Sequence, residues 1–170
     1  MAFEAAKEYL EKRGLGDRVQ QFETSSATVE LAAQAVGCQP ARIAKTLSFL
    51  AGDQGILIVT AGDARIDNRK YRERFGTKAR MMSPEQVLRL VGHPVGGVCP
   101  FGIQPGIRVY LDASLRRFDT VYPACGSANS AVRLAPEELL EAVSEAEWVD
   151  VCRGWGEESG GAPCFSAQST

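Results

Sequence analysis

Lys45 stands where a charge is expensive. It lies in Arg42-Ile43-Ala44-Lys45-Thr46-Leu47-Ser48-Phe49-Leu50, a stretch that is otherwise mostly small or apolar. A lysine at the entrance of such a strand either snorkels its amine to water or points it into a cleft, because a bare ammonium in a core is costly. In a cleft it is a cation able to hold a carbonyl oxygen, a phosphate or a water, and perturbed lysines gather at such sites. A second candidate is Val95-Gly96-Gly97-Val98-Cys99-Pro100-Phe101-Gly102. Glycines remove Cβ atoms so that backbone amides come close to a ligand, and proline stiffens the loop. The N–H groups of Gly96, Gly97 and Val98 suit a phosphate, a ribose hydroxyl or an oxyanion; the ordinary alternative is a tight connection. Cys99 has His93 six residues upstream, a pairing that could make a nucleophile. Pro100 counts against that, because it denies the amide donor that commonly follows a nucleophile. A third turn, Ala124-Cys125-Gly126-Ser127-Ala128-Asn129, offers the Ser127 hydroxyl as an adaptable hydrogen-bond partner.

The elements that must position these residues can be read from pattern. Residues 3–13 carry Phe3, Ala6 and Leu10 on one helical face, with Gly14 as the stop. Residues 19–22 are a short extended piece. Thr28 caps a helix over 29–36 that Gly37 closes. Pro40 opens a turn that delivers Lys45 into a strand, and a Gly-Asp-Gln-Gly turn joins it to Gly55-Ile56-Leu57-Ile58-Val59-Thr60-Ala61-Gly62 as a hairpin. Asp67 caps a basic helix to Phe75, Met81 and Met82 are expected to be buried, and Ser83-Pro84-Glu85-Gln86 is a capping box. That helix runs to Gly92, leaving His93 as a cap or surface residue. Further strands are expected over 106–112, 120–124, 130–134 and 148–151, with a helix over 137–143. Asp112 and Asp119 fit turns as well as they fit a site, and Cys38 and Cys125 fit small buried packing positions. Strands separated by helices, with hairpin-like connections, predict an α+β domain with a central mixed or antiparallel curved sheet flanked by helices. One domain is expected over residues 1–153, and the Gly, Ser, Glu and Pro composition of 154–170 predicts a flexible tail.

Composition narrows the classes. At 170 residues with 45% apolar and 24% charged content, the chain fits one globular domain. It has no apolar run of the roughly 20 residues needed to cross a membrane, and its N-terminus reads as an amphipathic helix, not a secretory signal. The five cysteines (38, 99, 125, 152 and 164) show no Cys-x-x-Cys spacing and fit free thiols in a cytoplasm. With His93 the single histidine, no metal and no cofactor is expected. The net charge of −2 argues against a long nucleic-acid groove. Residues 65–80, however, hold seven basic residues against Asp67 and Glu73, a net +5. Such a patch is either a solvated helix face or a grip on RNA phosphates, through Arg69, Lys70 and Arg72.

Four segments in order, Thr28-Val29-Glu30, Ile43-Ala44-Lys45-Thr46-Leu47, the loop from Gly96 into Phe101-Gly102, and Ala124-Cys125-Gly126-Ser127-Ala128-Asn129 followed by Ala135-Pro136-Glu137-Glu138-Leu139-Leu140, resemble the YbaK/ProX family of aminoacyl-tRNA deacylases. The family includes the editing domain inserted in bacterial prolyl-tRNA synthetases. The resemblance implies that fold, and a trans-editing hydrolase that cleaves a small amino acid from a mischarged tRNA. It implies Lys45 as the functional lysine and 96–100 as the substrate loop. Phe22, Val29, Ile43, Cys99, Pro100, Gly126 and Ser127 would line the substrate site, and a ribose hydroxyl of the tRNA end would assist, so that no protein base is required. The implied partners are the aminoacylated acceptor end and, transiently, a synthetase. The other class that fits is a module that holds aminoacyl-tRNA or a nucleotide-like ligand without hydrolysing it. One departure is Ala128, where relatives often carry a basic residue after the Gly-Ser pair.

Overall fold

The computed structural model describes residues 2–143 and 145–156. In chain order the elements are helix α1 (Ala2–Glu11), strand β1 (Val19–Gln21), helix α2 (Val29–Val36), strands β2 (Ile43–Ala51), β3 (Gln54–Ala61) and β4 (Arg65–Ile66), and helix α3 (Asn68–Phe75). A short α4 (Pro84–Gln86) widens into a π-helical turn (Val87–Val91). Strands β5 (Arg108–Asp112), β6 (Tyr122–Pro123) and β7 (Ser130–Val132), helix α5 (Pro136–Ala142), and strands β8 (Glu147–Val149) and β9 (Cys152–Arg153) complete it.

The main sheet runs β6-β2-β3-β5-β8. Only β2–β3 is antiparallel; β2–β6, β3–β5 and β5–β8 are parallel. The sheet is therefore mixed, with the expected hairpin at its centre. Two-stranded ribbons β1–β7 and β4–β9 flank it. β3 is buried on both faces, as its unbroken apolar run requires. The caps read from sequence are in place: Leu31 N–H donates to Thr28 Oγ1, Asp67 Oδ1 accepts from the N–H of Arg69 and Lys70, and Ser83 and Gln86 satisfy each other as a capping box. Arg18, in the turn after α1, makes a bidentate pair with Glu138 of α5, both contacts at 2.9 Å, and so ties the first helix region to the last.

Several expectations need correcting. Met82 is buried, but Met81 is 60% exposed: its backbone bridges to Phe49 across the β2 edge, and its side chain turns outward. His93 is fully buried, not at the surface; its Nε2 lies 2.8 Å from the Phe101 carbonyl oxygen, and burial lowers its pKa. The strands expected over 120–124 and 130–134 shrink to β6 and β7, joined beyond their ends by a Val121–Leu134 bridge. Trp155, assigned to the tail, is packed against the core and lies 5.0 Å from the Arg117 guanidinium. The rest of the expected tail, 157–170, lies outside the described residues. Among the described residues, no helix is long and apolar enough to cross a membrane.

Candidate active site

A gap in the cover of β2 makes the site. At its start β2 pairs with β6, through Ile43 and Ala44. Toward its end the same edge is covered by residues 80–82: Leu50 N–H donates to Arg80 O and Met82 N–H to Ser48 O. Backbone groups alternate sides along a strand, so the Thr46 N–H and C=O point away from β3, as those of Ser48 and Leu50 do. Among the described residues, nothing pairs with that edge between Ala44 and Ser48. A cleft of about 440 Å³ opens there, within the usual range of small-molecule sites. Ala27, Val29, Ala32 and Ile43 line one wall, Met81, Met82 and Val87 another, and Val95, Gly96 and Val98 belong to the loop beside it. Ser26, Ser130 and Tyr122 add polar groups.

Lys45 lies in this cleft, half-buried on β2 opposite Thr60. Its Nζ donates to the Gly62 carbonyl at 3.3 Å, a long bond that leaves its other donors free. Burial pushes the ammonium below its ordinary pKa, and Arg65 pushes the same way, against the attraction of Asp63 and Glu30. Gly62 can only be glycine: a Cβ there would meet the Pro40 carbonyl oxygen at 2.0 Å. The two ends of the hairpin thus close against the Pro40 turn and hold Lys45 in place. Beside it, the Thr46 hydroxyl is covered from solvent but has no hydrogen-bond partner among the described residues. A buried orphan hydroxyl costs about 1–3 kcal/mol, so a ligand that satisfies it recovers that amount.

The glycine loop divides its work. Gly96, at φ 96°, adopts a conformation that favours glycine and lines the cleft. The N–H groups of Gly96 and Val98 have no acceptor among the described residues. Gly97 is different. It lies off the cleft lining, its N–H donates to Pro94 O at 3.0 Å, and a Cβ on it would meet the Ser127 backbone N at 2.5 Å. Its role is close packing of two loops, and the free donors are its neighbours.

Of the other residues singled out in the sequence, Val29 and Ile43 line the cleft, while Phe22, Cys99, Pro100, Gly126 and Ser127 do not. The Phe22 backbone is tied to Asn129, accepting from Asn129 Nδ2 and donating to Asn129 O. Cys99 faces the core with His93 Nε2 at 3.5 Å, and burial drives its thiol pKa far up, so this pair is no thiolate–imidazolium couple. Gly126 packs against the backbone of Ala2 and Phe3, and Ser127 Oγ stands 2.8 Å from Ser130 Oγ, one layer behind the wall. Asp112 is consumed by the backbone, accepting from Ser114 N–H and Val151 N–H. On α3, Arg69 pairs with Glu73 and Lys70 with Asp150, while the Arg72 side chain has no carboxylate partner among the described residues. Sequence reasoning missed Thr46, Met81 and Val95; the last two are large apolar groups exposed at the mouth of the cleft.

Comparison with known proteins identifies the family and the fold. The chain is 60% identical over 138 residues to the uncharacterized protein YwhH of Bacillus subtilis (strain 168), covering 81% of this chain and 88% of that protein. It is 30% identical over 76 residues to the proline–tRNA ligase of Thermotoga neapolitana, where the match covers 44% of this chain and 13% of the ligase. Its fold superposes on the crystal structure of a proposed trans-editing enzyme for prolyl-tRNA synthetase with a TM-score of 0.81 at 33% identity, covering 90% of this chain and 98% of the other. Residues 23–142 match the model of the aminoacyl-tRNA editing domain, and the chain belongs to that family.

Proposed function

We propose that the protein hydrolyses the ester between a small amino acid and the 3′-terminal ribose of a mischarged tRNA, acting in trans. The observation that carries this reading is one half-buried ammonium, Lys45, sharing an apolar cleft with the unspent N–H groups of Gly96 and Val98. An aminoacyl ester is already activated, so positioning and charge stabilisation suffice. Water adds to the ester carbonyl, the negative charge gathers on its oxygen within reach of those donors, and the C–O bond to the ribose breaks. The ribose oxygen leaves with a proton and the amino acid leaves as a carboxylate. Lys45 holds the carbonyl oxygen and orients the ester, and a neighbouring ribose hydroxyl assists the proton transfer. Val29, Ala32 and Ile43 suit a short side chain. Phosphates of the acceptor end lie along the basic segment, with Arg72 the most available cation of α3, beside Arg69 and Lys70.

The test is a deacylation screen across tRNAs carrying alanine, cysteine, serine or threonine. Lys45→Ala is expected to lose at least a hundredfold in kcat/KM on the responsive substrate while folding normally, and Cys99→Ser is expected to keep most of its activity. Wild-type turnover in Lys45→Ala defeats the assignment. Tight binding of aminoacyl-tRNA without turnover by the wild-type chain makes the protein a binding module instead.

A further inference from the structure

Beside the cleft, two arginines face each other. β4 pairs with β9 in antiparallel register, and Arg65 lies directly opposite Arg153. Both side chains are exposed, and neither has a hydrogen bond or ion pair among the described residues. Like charges opposed across a ladder are destabilising, so a fold that keeps the pair gains from something that neutralises it. Asp63 is held by Arg117, with contacts of 2.6 and 3.1 Å. Asp67 caps α3 through its Oδ1 and attracts Arg153 from a distance without forming an ion pair with it. Arg117 in turn packs against Trp155, just past Arg153, which fixes the chain beyond β9. Arg65 lies three residues beyond Gly62, whose carbonyl Lys45 holds, and its charge is felt at Lys45. Neither arginine lines the cleft itself; the pair lies outside it, on the side where the Gly62 carbonyl holds Lys45.

We propose that Arg65 and Arg153 form a clamp for one phosphodiester of a single-stranded RNA 3′ end, the phosphate preceding the nucleoside placed at Lys45. This rests on the deacylase reading for the identity of the ligand. Guanidinium forks match phosphate oxygens two at a time, and two forks on adjacent strands surround one such group. Counterions released from that phosphate make the interaction salt-sensitive. The α3 cations then serve phosphates further along the acceptor end, and the clamp sets the register of the last nucleotide.

The experiment uses Arg65→Gln, Arg153→Gln and the double variant with three probes. These are a fluorescent single-stranded RNA ending in CCA, a 3′-aminoacyl adenosine, and the same ester carrying a 5′-phosphate. The double variant is expected to bind the RNA about 10- to 100-fold more weakly, the loss typical of hydrogen bonds to charged groups. Its salt dependence should flatten by about 0.7 log units for each phosphate that is no longer neutralised. It should hydrolyse the phosphate-free ester at the wild-type rate but lose about 10- to 100-fold in kcat/KM on the phosphorylated one, with thermal stability unchanged or raised by relief of the repulsion. Unchanged RNA affinity and salt slope, or equal losses on both esters, overturn the clamp. If the wild-type chain hydrolyses neither ester but RNA binding still falls in the double variant, the deacylase reading fails and the clamp stands.

Discussion

At the scale of single residues, the cleft runs on groups with unspent hydrogen-bonding capacity. Thr46 is the clearest case, since its hydroxyl is covered and unpartnered and its backbone pair faces the gap in the sheet edge. Replacing it with isosteric valine removes the orphan and keeps the shape. Thr46→Val is therefore expected to be as stable as the parent or more so, yet about tenfold poorer in kcat/KM on the responsive aminoacyl-tRNA, measured beside a thermal melt. A variant that loses stability and keeps full activity makes Thr46 a packing residue. Lys45 was legible in the sequence because a lone charge in an apolar strand stands out by type. Thr46 was not, because an unpaired hydroxyl has no sequence signature; it becomes an orphan only through what fails to pack against it. Cys99 misled for the converse reason. A cysteine between a glycine pair and a proline reads as a loop thiol, whereas the loop turns it inward onto His93 and the Phe101 carbonyl.

At the scale of elements, caps and turn residues marked most boundaries, because those signals are local. Thr28, Asp67, Ser83 and the glycines closing α2 and α3 each act within four residues. Strand pairing is not local, and there the sequence fell short. The central sheet contains three parallel pairings, and the cleft exists because β6 and residues 80–82, distant in sequence, cover different stretches of β2. The Arg18–Glu138 pair is another long-range tie, and it makes a prediction about acid. The Arg18 guanidinium and the Ala135 N–H hold the Glu138 carboxyl down at about 2, against an ordinary value of 4.5. A depressed carboxylate stabilises the fold above its unfolded pKa and loses that contribution as pH falls from about 4.5 toward 2. Both side chains are partly open to water, 24% and 34% exposed, so the contribution is about 1 kcal/mol after screening. Arg18→Ala should lower the melting temperature at pH 7 and narrow its gap to the wild type as pH drops to 3, as read by calorimetry. A gap independent of pH would mean that poorer packing, not charge, carries the effect.

For the whole molecule, fold class and the place of Lys45 in the first central strand were legible in pattern, while the mouth of the cleft and the arginine pair came from tertiary placement alone. Arg65 lies inside the family-matched region and Arg153 beyond its end, and only the β4–β9 ribbon brings them together. The same burial that disarms Cys99 extends to Cys125 and Cys152, all three fully covered, with Cys125 pushed up to about 12. Cys38 is only half-covered, though its thiol too is raised, to about 11. The consequence concerns oxidative stress. Peroxides and electrophiles react with accessible thiolates, so the described body meets them with Cys38 alone, and the other three become oxidisable only when the core opens. In a Cys164→Ser background, iodoacetamide should add a first label at a rate that climbs with pH toward about 11, as the Cys38 thiol ionises, with later labels arriving together at the rate of global unfolding, as followed by intact mass. Loss of activity that tracks the later labels would then report a molecule that had already come apart, whereas loss with the first label would be the work of Cys38, which packs behind the cleft wall against Ala32 and Ile43.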